Sequence, residues 1–159
     1  MNLGIKDKTI LITGGSSGIG YATALEYAKE TDCNIAFSYH NAKQQQVNEI
    51  INQIESYGCK ALAVKMDLAD FDSIQTAVKA VVDNFGSIHI LVNNAVYWGN
   101  WEHRGKSFEE MPISVWQEIV GINLFGTVKV TQSVVPYMRK QKFGRIVNIS
   151  SDEIGRAHV

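Results

Sequence analysis

Thr13-Gly14-Gly15-Ser16-Ser17-Gly18-Ile19-Gly20 closes the apolar run Thr9 to Thr13 (TILIT) and opens a helical stretch, Gly18 to Glu30. Glycines in such a turn let the backbone bend sharply and approach a diphosphate closely. The helix that begins there offers N–H groups without intrahelical partners, and the positive end of its dipole, to anionic oxygen. Ser16 and Ser17 add hydroxyl donors. The motif predicts a dinucleotide-phosphate cradle made by Gly14, Ser16, Ser17, Gly18, Ile19 and Gly20. A tight turn without a ligand is the competing reading.

Outward from this turn, short β-branched runs alternate with longer amphipathic stretches. Strands are predicted at Asn34 to Tyr39, Ala61 to Met66, Ile88 to Val92 and Arg145 to Ile149. Helices are predicted at Ala42 to Tyr57, Phe71 to Phe85 and, as one long stretch, Ser114 to Gln141. Strands that are apolar on both faces, alternating with helices, imply a parallel sheet covered on both sides. The expected fold is α/β: a Rossmann-like doubly wound parallel sheet, truncated after the fifth strand. The irregular stretch Asn93 to Met111 follows a strand's C-terminal end, where open α/β sheets bind ligands. Its Tyr97, Trp98 and Trp101 either floor a substrate pocket or pack the loop.

In such folds an acid about 20 residues beyond the glycines holds the ribose of NAD. Here the second strand ends in Ser38-Tyr39-His40-Asn41-Ala42-Lys43, without Asp or Glu. Asp32 lies before the strand, at its wrong end. Tyr39 and His40 are therefore placed beside the cofactor, and a 2′-phosphate would meet His40 or Lys43 rather than a carboxylate. This favours NADP over NAD, although no Arg is present to clamp the phosphate.

The chain has 159 residues, 45% hydrophobic and 19% charged, with a net charge of -1. That is a globular composition with no large single-sign field, so neither nucleic acid nor a membrane is expected as a partner. There is no signal-like segment, and a cytoplasmic protein is expected. Cys33 and Cys59 lack metal-ligand spacing and read as two free thiols in a reducing compartment. No metal site is expected.

Beyond the glycine turn stand Asp67-Leu68, Asn93-Asn94-Ala95, Asn123 and Asn148-Ile149-Ser150-Ser151, each after a predicted strand or within the long helix. This ordered set resembles the short-chain dehydrogenase/reductase family from about Lys8 to Ser151. Its 3-oxoacyl-[acyl-carrier-protein] reductases and its alcohol or sugar dehydrogenases would look alike over this region. The resemblance implies an NAD(P)-dependent oxidoreductase that interconverts a carbonyl and a hydroxyl of a small molecule, in a homo-oligomer. It implies that Asp67 binds the adenine amino group with Leu68 beside it. Asn93 would tie the sheet to the cofactor, and Ala95 would line the ribose. Asn123 would hold a proton-relay water, and Ser151, or Ser150, would bind the substrate oxygen. Structural alternatives stand beside these: Asp67 as a turn cap, Asn93 and Asn123 as satisfied polar residues, Ser151 as a turn residue. Val96 departs from the family's usual Gly.

The family's general acid is the Tyr of a Tyr-x-x-x-Lys pair beyond the serine. No Tyr follows Tyr137 in this sequence, and the lone His158 offers no substitute. The expectation is therefore an N-terminal cofactor-binding part, residues 1–153, inactive as written, with an unpaired apolar edge at strand five and a tendency to aggregate or oligomerise. Residues 154–159 (IGRAHV) read as a non-native tail translated from a sequencing adapter, with a natural truncated paralogue as the rival. A non-catalytic dinucleotide-binding module and a functionless product are the alternatives in function.

Overall fold

Thr9–Ile12 forms β1, and all four of its residues are buried. Its side chains alternate between faces: Ile10 and Ile12 join one apolar cluster, Leu11 the other. That double burial places β1 in the middle of a sheet, with β2 (Asn34–Tyr39) and β4 (Ile90–Asn93) hydrogen-bonded on either side of it. The computed structural model describes residues 4–30, 32–103 and 105–150. Five strands line up in the order β3-β2-β1-β4-β5, with β3 at Lys60–Lys65 and β5 at Arg145–Asn148. Every pair is parallel, and the register sets Ile10 opposite Ile35 on one side and opposite Ile90 on the other. This is the doubly wound parallel sheet of a Rossmann-like fold, ending at β5 among the described residues.

Helices α1 (Gly18–Lys29) and α2 (Gln44–Ser56) cover one face. Val47, Ile50 and Ile54 recur at helical spacing and meet Ile35 and Phe37 there. Helices α3 (Phe71–Phe85) and α5 (Thr127–Lys140) cover the other, through Ile74, Val78, Val81, Val130 and Val134. Each such buried side chain contributes roughly 1.5–3 kcal/mol. An exposed ion pair such as Lys79–Asp83 contributes about 1 kcal/mol at most. The two apolar layers, not the surface charges, hold the fold.

The element limits follow the sequence within a few residues, with one substantive difference. The stretch expected as a single helix from Ser114 to Gln141 is three segments: α4 (Ile113–Val120), a π turn (Gly121–Gly126) and α5. The wider turn rotates α5 relative to α4 and sits around Asn123. No helix among the described residues is long and apolar enough to cross a membrane. At the end of the sheet, β5 is exposed on both faces, including Ile146 and Val147.

At the N-terminal end of the sheet, the Thr9 amide donates to His89 Nδ1 over 3.0 Å. Burial, and then the nearby Lys8 charge, lower the His89 pKa from its ordinary value. The folded state therefore resists a proton that the unfolded chain accepts. As the unfolded state binds more protons below about pH 6.5, folding stability must fall as pH drops through that value, and go on falling until the lowered folded pKa is reached. Urea unfolding at pH 7.5 and 5.5 measures this. His89→Gln, which can still accept from Thr9, is expected to show a smaller loss between the two than the parent. An equal loss refutes the assignment.

Candidate functional site

The crevice at the C-terminal ends of β1 and β4 is built from two turns that interlock. The chain leaves β1 at Thr13 and leaves β4 at Asn93. Thr13, almost fully buried, accepts hydrogen bonds on its hydroxyl oxygen from the Asn94 amide (2.9 Å) and the Ala95 amide (3.0 Å). The Asn94 side-chain amide donates back to the carbonyls of Thr13 (3.0 Å) and Gly14 (3.3 Å). From the other side, Ser38 at the end of β2 accepts from the Gly14 amide on its hydroxyl (3.1 Å) and from the Gly15 amide on its carbonyl (2.9 Å).

These contacts leave no room at two glycines. A Cβ on Gly20 would lie 2.4 Å from the Gly14 carbonyl oxygen and 2.5 Å from Asn94 Nδ2. Gly14 has φ +66°, and a Cβ there would meet the Ala95 Cα at 2.9 Å. So the first turn of α1 is drawn tightly against β1 and β4. Ser17, at the N-terminus of α1, makes no capping hydrogen bond with its side chain. Ser17 is exposed, and the first N–H groups of the helix have no intrahelical partner. Ile19 beside them is exposed. Ser16 is fixed through its carbonyl, which accepts from Gln46 Nε2 of α2 (2.7 Å). A cradle of this shape, crowded behind and rich in donors in front, fits a dinucleotide diphosphate.

On the β2–β3 side, Tyr39 is half-buried and His40 exposed. His40 Nδ1 lies 3.9 Å from Asp67 Oδ1. Asp67 follows β3, and the same oxygen accepts from the Ala69 amide (2.8 Å), the turn-capping contact expected as an alternative. Leu68 is buried behind it. On the β4–β5 side, Asn93 Nδ2 donates to Thr131 of α5 (3.2 Å) and to Asn148 of β5 (2.9 Å), joining three elements. Asn123, in the π turn, grips the backbone of Tyr97: its Oδ1 accepts from the Tyr97 amide (2.7 Å), and its Nδ2 donates to the Tyr97 carbonyl (2.8 Å). The Asn123 carbonyl accepts from the Thr127 hydroxyl (2.7 Å).

Of the loop aromatics, Trp98 is exposed. The Tyr97 hydroxyl donates to Glu118 (3.1 Å). Loss of water contact, then that bond and the Glu118 charge, raise the Tyr97 pKa. Thr13, Ser38, Asn94 and Gln46 carry much of the geometry without being singled out by sequence. For Thr13, Ser38 and Asn94 a small polar residue at or beside the end of a buried strand was the available signal, and Gln46, within α2, carried none. Ser151 lies outside the described residues, as does the boundary drawn at 153, and Ser150 is exposed. Among the described residues no group of three or more His, Cys, Asp and Glu could hold a metal ion.

The family model of short chain dehydrogenases matches residues 8–158. The chain belongs to the short-chain dehydrogenase family. It is 36% identical over 147 residues to a 3-oxoacyl-[acyl-carrier-protein] reductase of Thermotoga maritima, covering 92% of this chain and 56% of the reductase. It superposes on NAD+-bound xylitol dehydrogenase with a TM-score of 0.83 at 30% identity, over 94% of this chain and 55% of that one. A short chain dehydrogenase from Burkholderia cenocepacia in complex with NADP gives 0.81 at 27% identity, over 98% and 60%. The chain thus spans little more than half the length of these relatives. The match through residue 158 corrects two expectations. The likeness does not stop at Ser151 with the cofactor part, and the reading of an inactive fragment is withdrawn. They had rested on the absent Tyr-x-x-x-Lys pair, the unpaired edge at strand five and the reading of residues 154–159 as a non-native tail, whereas the match continues to residue 158.

The cradle makes a sharp demand on residue 20. Gly20→Ala must push Asn94 or the Gly14 carbonyl aside, at a cost of about 1–3 kcal/mol. It is expected to lose dinucleotide binding by calorimetry while still unfolding cooperatively in urea. Unchanged affinity would show that the crowding behind the turn does not shape the site.

Proposed function

We propose that this chain supplies the dinucleotide platform of an NAD(P)-dependent oxidoreductase that interconverts a carbonyl and a hydroxyl of a small molecule. The observation that carries the reading is the interlocked β1 and β4 turns, which leave a donor-rich cradle at the N-terminus of α1. The bound cofactor would supply or accept the hydride. In this reading the first N–H groups of α1, with Ser16 and Ser17, hold the diphosphate. Asp67 accepts from the adenine amino group with Leu68 packed beside it, and Ala95 lines a ribose. Asn93 keeps β4, β5 and α5 in register beneath the nicotinamide end. The Asn123 carbonyl, in the π turn, would hold a water that passes a proton. Ser151 binds the substrate oxygen. Substrates would be small carbonyl or alcohol compounds, in keeping with the reductase and xylitol dehydrogenase that the chain resembles. The exposed apolar residues Trp116, Val120, Leu124 and Phe125 support a homo-oligomer.

NADP is preferred in this reading, because the end of β2 presents His40 and Lys43, both exposed, and no carboxylate of its own. Titration calorimetry with NADP and NAD tests it. NADP is expected to bind more tightly, and His40→Ala with Lys43→Ala to reduce that preference about tenfold or more, one to two lost phosphate contacts at roughly 1.5–3 kcal/mol each. Equal affinities in the parent chain would end the NADP assignment. Failure of both cofactors to bind would end the functional reading. Oxidation of NADPH, followed by absorbance against 3-oxo thioesters, aldehydes and ketoses, tests the reaction class.

A further inference from the structure

Cys33 and Cys59 stand 26 positions apart, yet their sulfur atoms are 3.2 Å apart. The sheet brings them together. Cys33 immediately precedes β2 and Cys59 immediately precedes β3, and the register pairs the next residues, Asn34 with Lys60. The Lys60 amide also donates to the Cys33 carbonyl. Neighbouring strands run about 4.8 Å apart. That spacing falls within the roughly 4.4–6.8 Å Cα separation that a disulfide bridges. Both thiols are buried, and both lean on the last turn of α1: Cys33 Sγ donates to the Tyr27 carbonyl and Cys59 Sγ to the Ala28 carbonyl, each at 3.5 Å. Neither sulfur serves the crevice, which lies at the opposite end of the strands.

We propose that Cys33 and Cys59 are a redox modification site, oxidised by peroxides to an intrachain disulfide that locks the β2–α2–β3 unit. One thiolate attacks a peroxide oxygen, breaking the O–O bond, and becomes a sulfenic acid. The second thiol then attacks that sulfur and expels water. Two thiols and one hydrogen peroxide yield one disulfide and two waters. The product needs the sulfurs to close from 3.2 Å to a bond length of about 2.05 Å. That is a side-chain movement across an existing contact, with no strand to reposition.

Peroxide would reach the thiols past the exposed residue that precedes each cysteine. Asp32 is exposed with φ +53°, and Gly58 is exposed with φ +86°. Each cysteine therefore lies one residue beneath a surface turn, at the edge-strand side of the sheet. Burial, then the contact with Cys59, pushes the Cys33 thiol up to about 12. Cys33 is therefore mostly in its thiol form, and its reaction calls for sustained peroxide. Once formed, the bond closes the loop that contains Ser38, His40 and Gln46, the residues steadying the adenosine side of the crevice.

Intact-mass analysis of the purified chain after hydrogen peroxide tests this. The expected product has lost about 2 Da, the two thiol hydrogens, and non-reducing digestion yields a single peptide pair joined through Cys33 and Cys59. Dithiothreitol should restore the original mass. The loop closure should raise Tm by about 5–10 °C. Retention of both free thiols, addition of oxygen without cross-linking, or a dimer joined between chains would overturn the proposal. So would the same mass loss in Cys33→Ser. These readouts need neither cofactor nor activity.

Discussion

The reversal of direction at β1 is the constraint on which the rest depends. The chain winds outward from β1 through β2 to β3, then returns across the sheet to β4 on the other side of β1. At that point two neighbouring strands send their continuations to opposite faces, and a crevice opens between them. The crevice floor lies at the ends of buried strands, where unpaired peptide groups cost about 1–3 kcal/mol each. Thr13 and Asn94 meet that cost. One hydroxyl oxygen accepts two amides from the β4 turn, and one side-chain amide donates to two carbonyls from the β1 turn. With the floor satisfied internally, the donors at the start of α1 stay available for a ligand.

The crevice walls repeat the same arrangement. Ser38 holds the glycine turn from β2, Gln46 holds it from α2, and Asn93 clasps α5 and β5. Asn123 holds Tyr97 by both of its peptide groups, which ties the loop after β4 to the π turn. A regular α-helix through 121–126 would rotate Asn123 away from that loop. The π turn is thus the local distortion that lets one side chain satisfy a strand-end loop, a common use of such turns near functional sites.

Much of this was legible in the sequence because periodicity reports burial. TILIT and IHILV are largely apolar on both faces, as a covered parallel strand requires. The glycine turn was placed between β1 and α1 from its spacing, whereas the crowding behind it, where a Cβ on Gly20 would lie 2.4 Å from the Gly14 carbonyl oxygen, is internal to the protein and was not read from the sequence. The π turn was not legible. Its residues, Gly121 to Gly126, keep an apolar pattern that a straight helix would also show, and Asn123 within it bonds a partner 26 positions away. Asn94 was hidden for a similar reason: its neighbour Asn93 has the same chemistry, and alternation along β4 sends the two side chains to different tasks. Nor can spacing along the chain bring Cys33 beside Cys59. Parallel register does that. The inactive-fragment expectation failed differently. It treated one absent pair as decisive, while the family pattern was carried by residues throughout the chain.

The two ends of the sheet differ in a way that bears on where chemistry belongs. At the N-terminal end, polar and soft groups are turned on one another. His89 accepts from Thr9, and Gln141 bonds Ser87, the Ile88 carbonyl and the Phe143 carbonyl. Lys8 and Arg145 lie over the Phe143 ring, and the two thiols face each other against α1. At the C-terminal end polar side chains bond to the turns, while Ser17 at the start of α1 is exposed and makes no capping bond. A parallel sheet imposes that polarity, since every strand feeds a following helix whose N-terminus lies at the same edge. Sequence then decides whether the edge is used. Glycine at 14 and 20 keeps it open, and a small polar residue at the end of each inner strand keeps it rigid. Those residues together, more than the apolar layers that any such sheet needs, set the shape of this crevice.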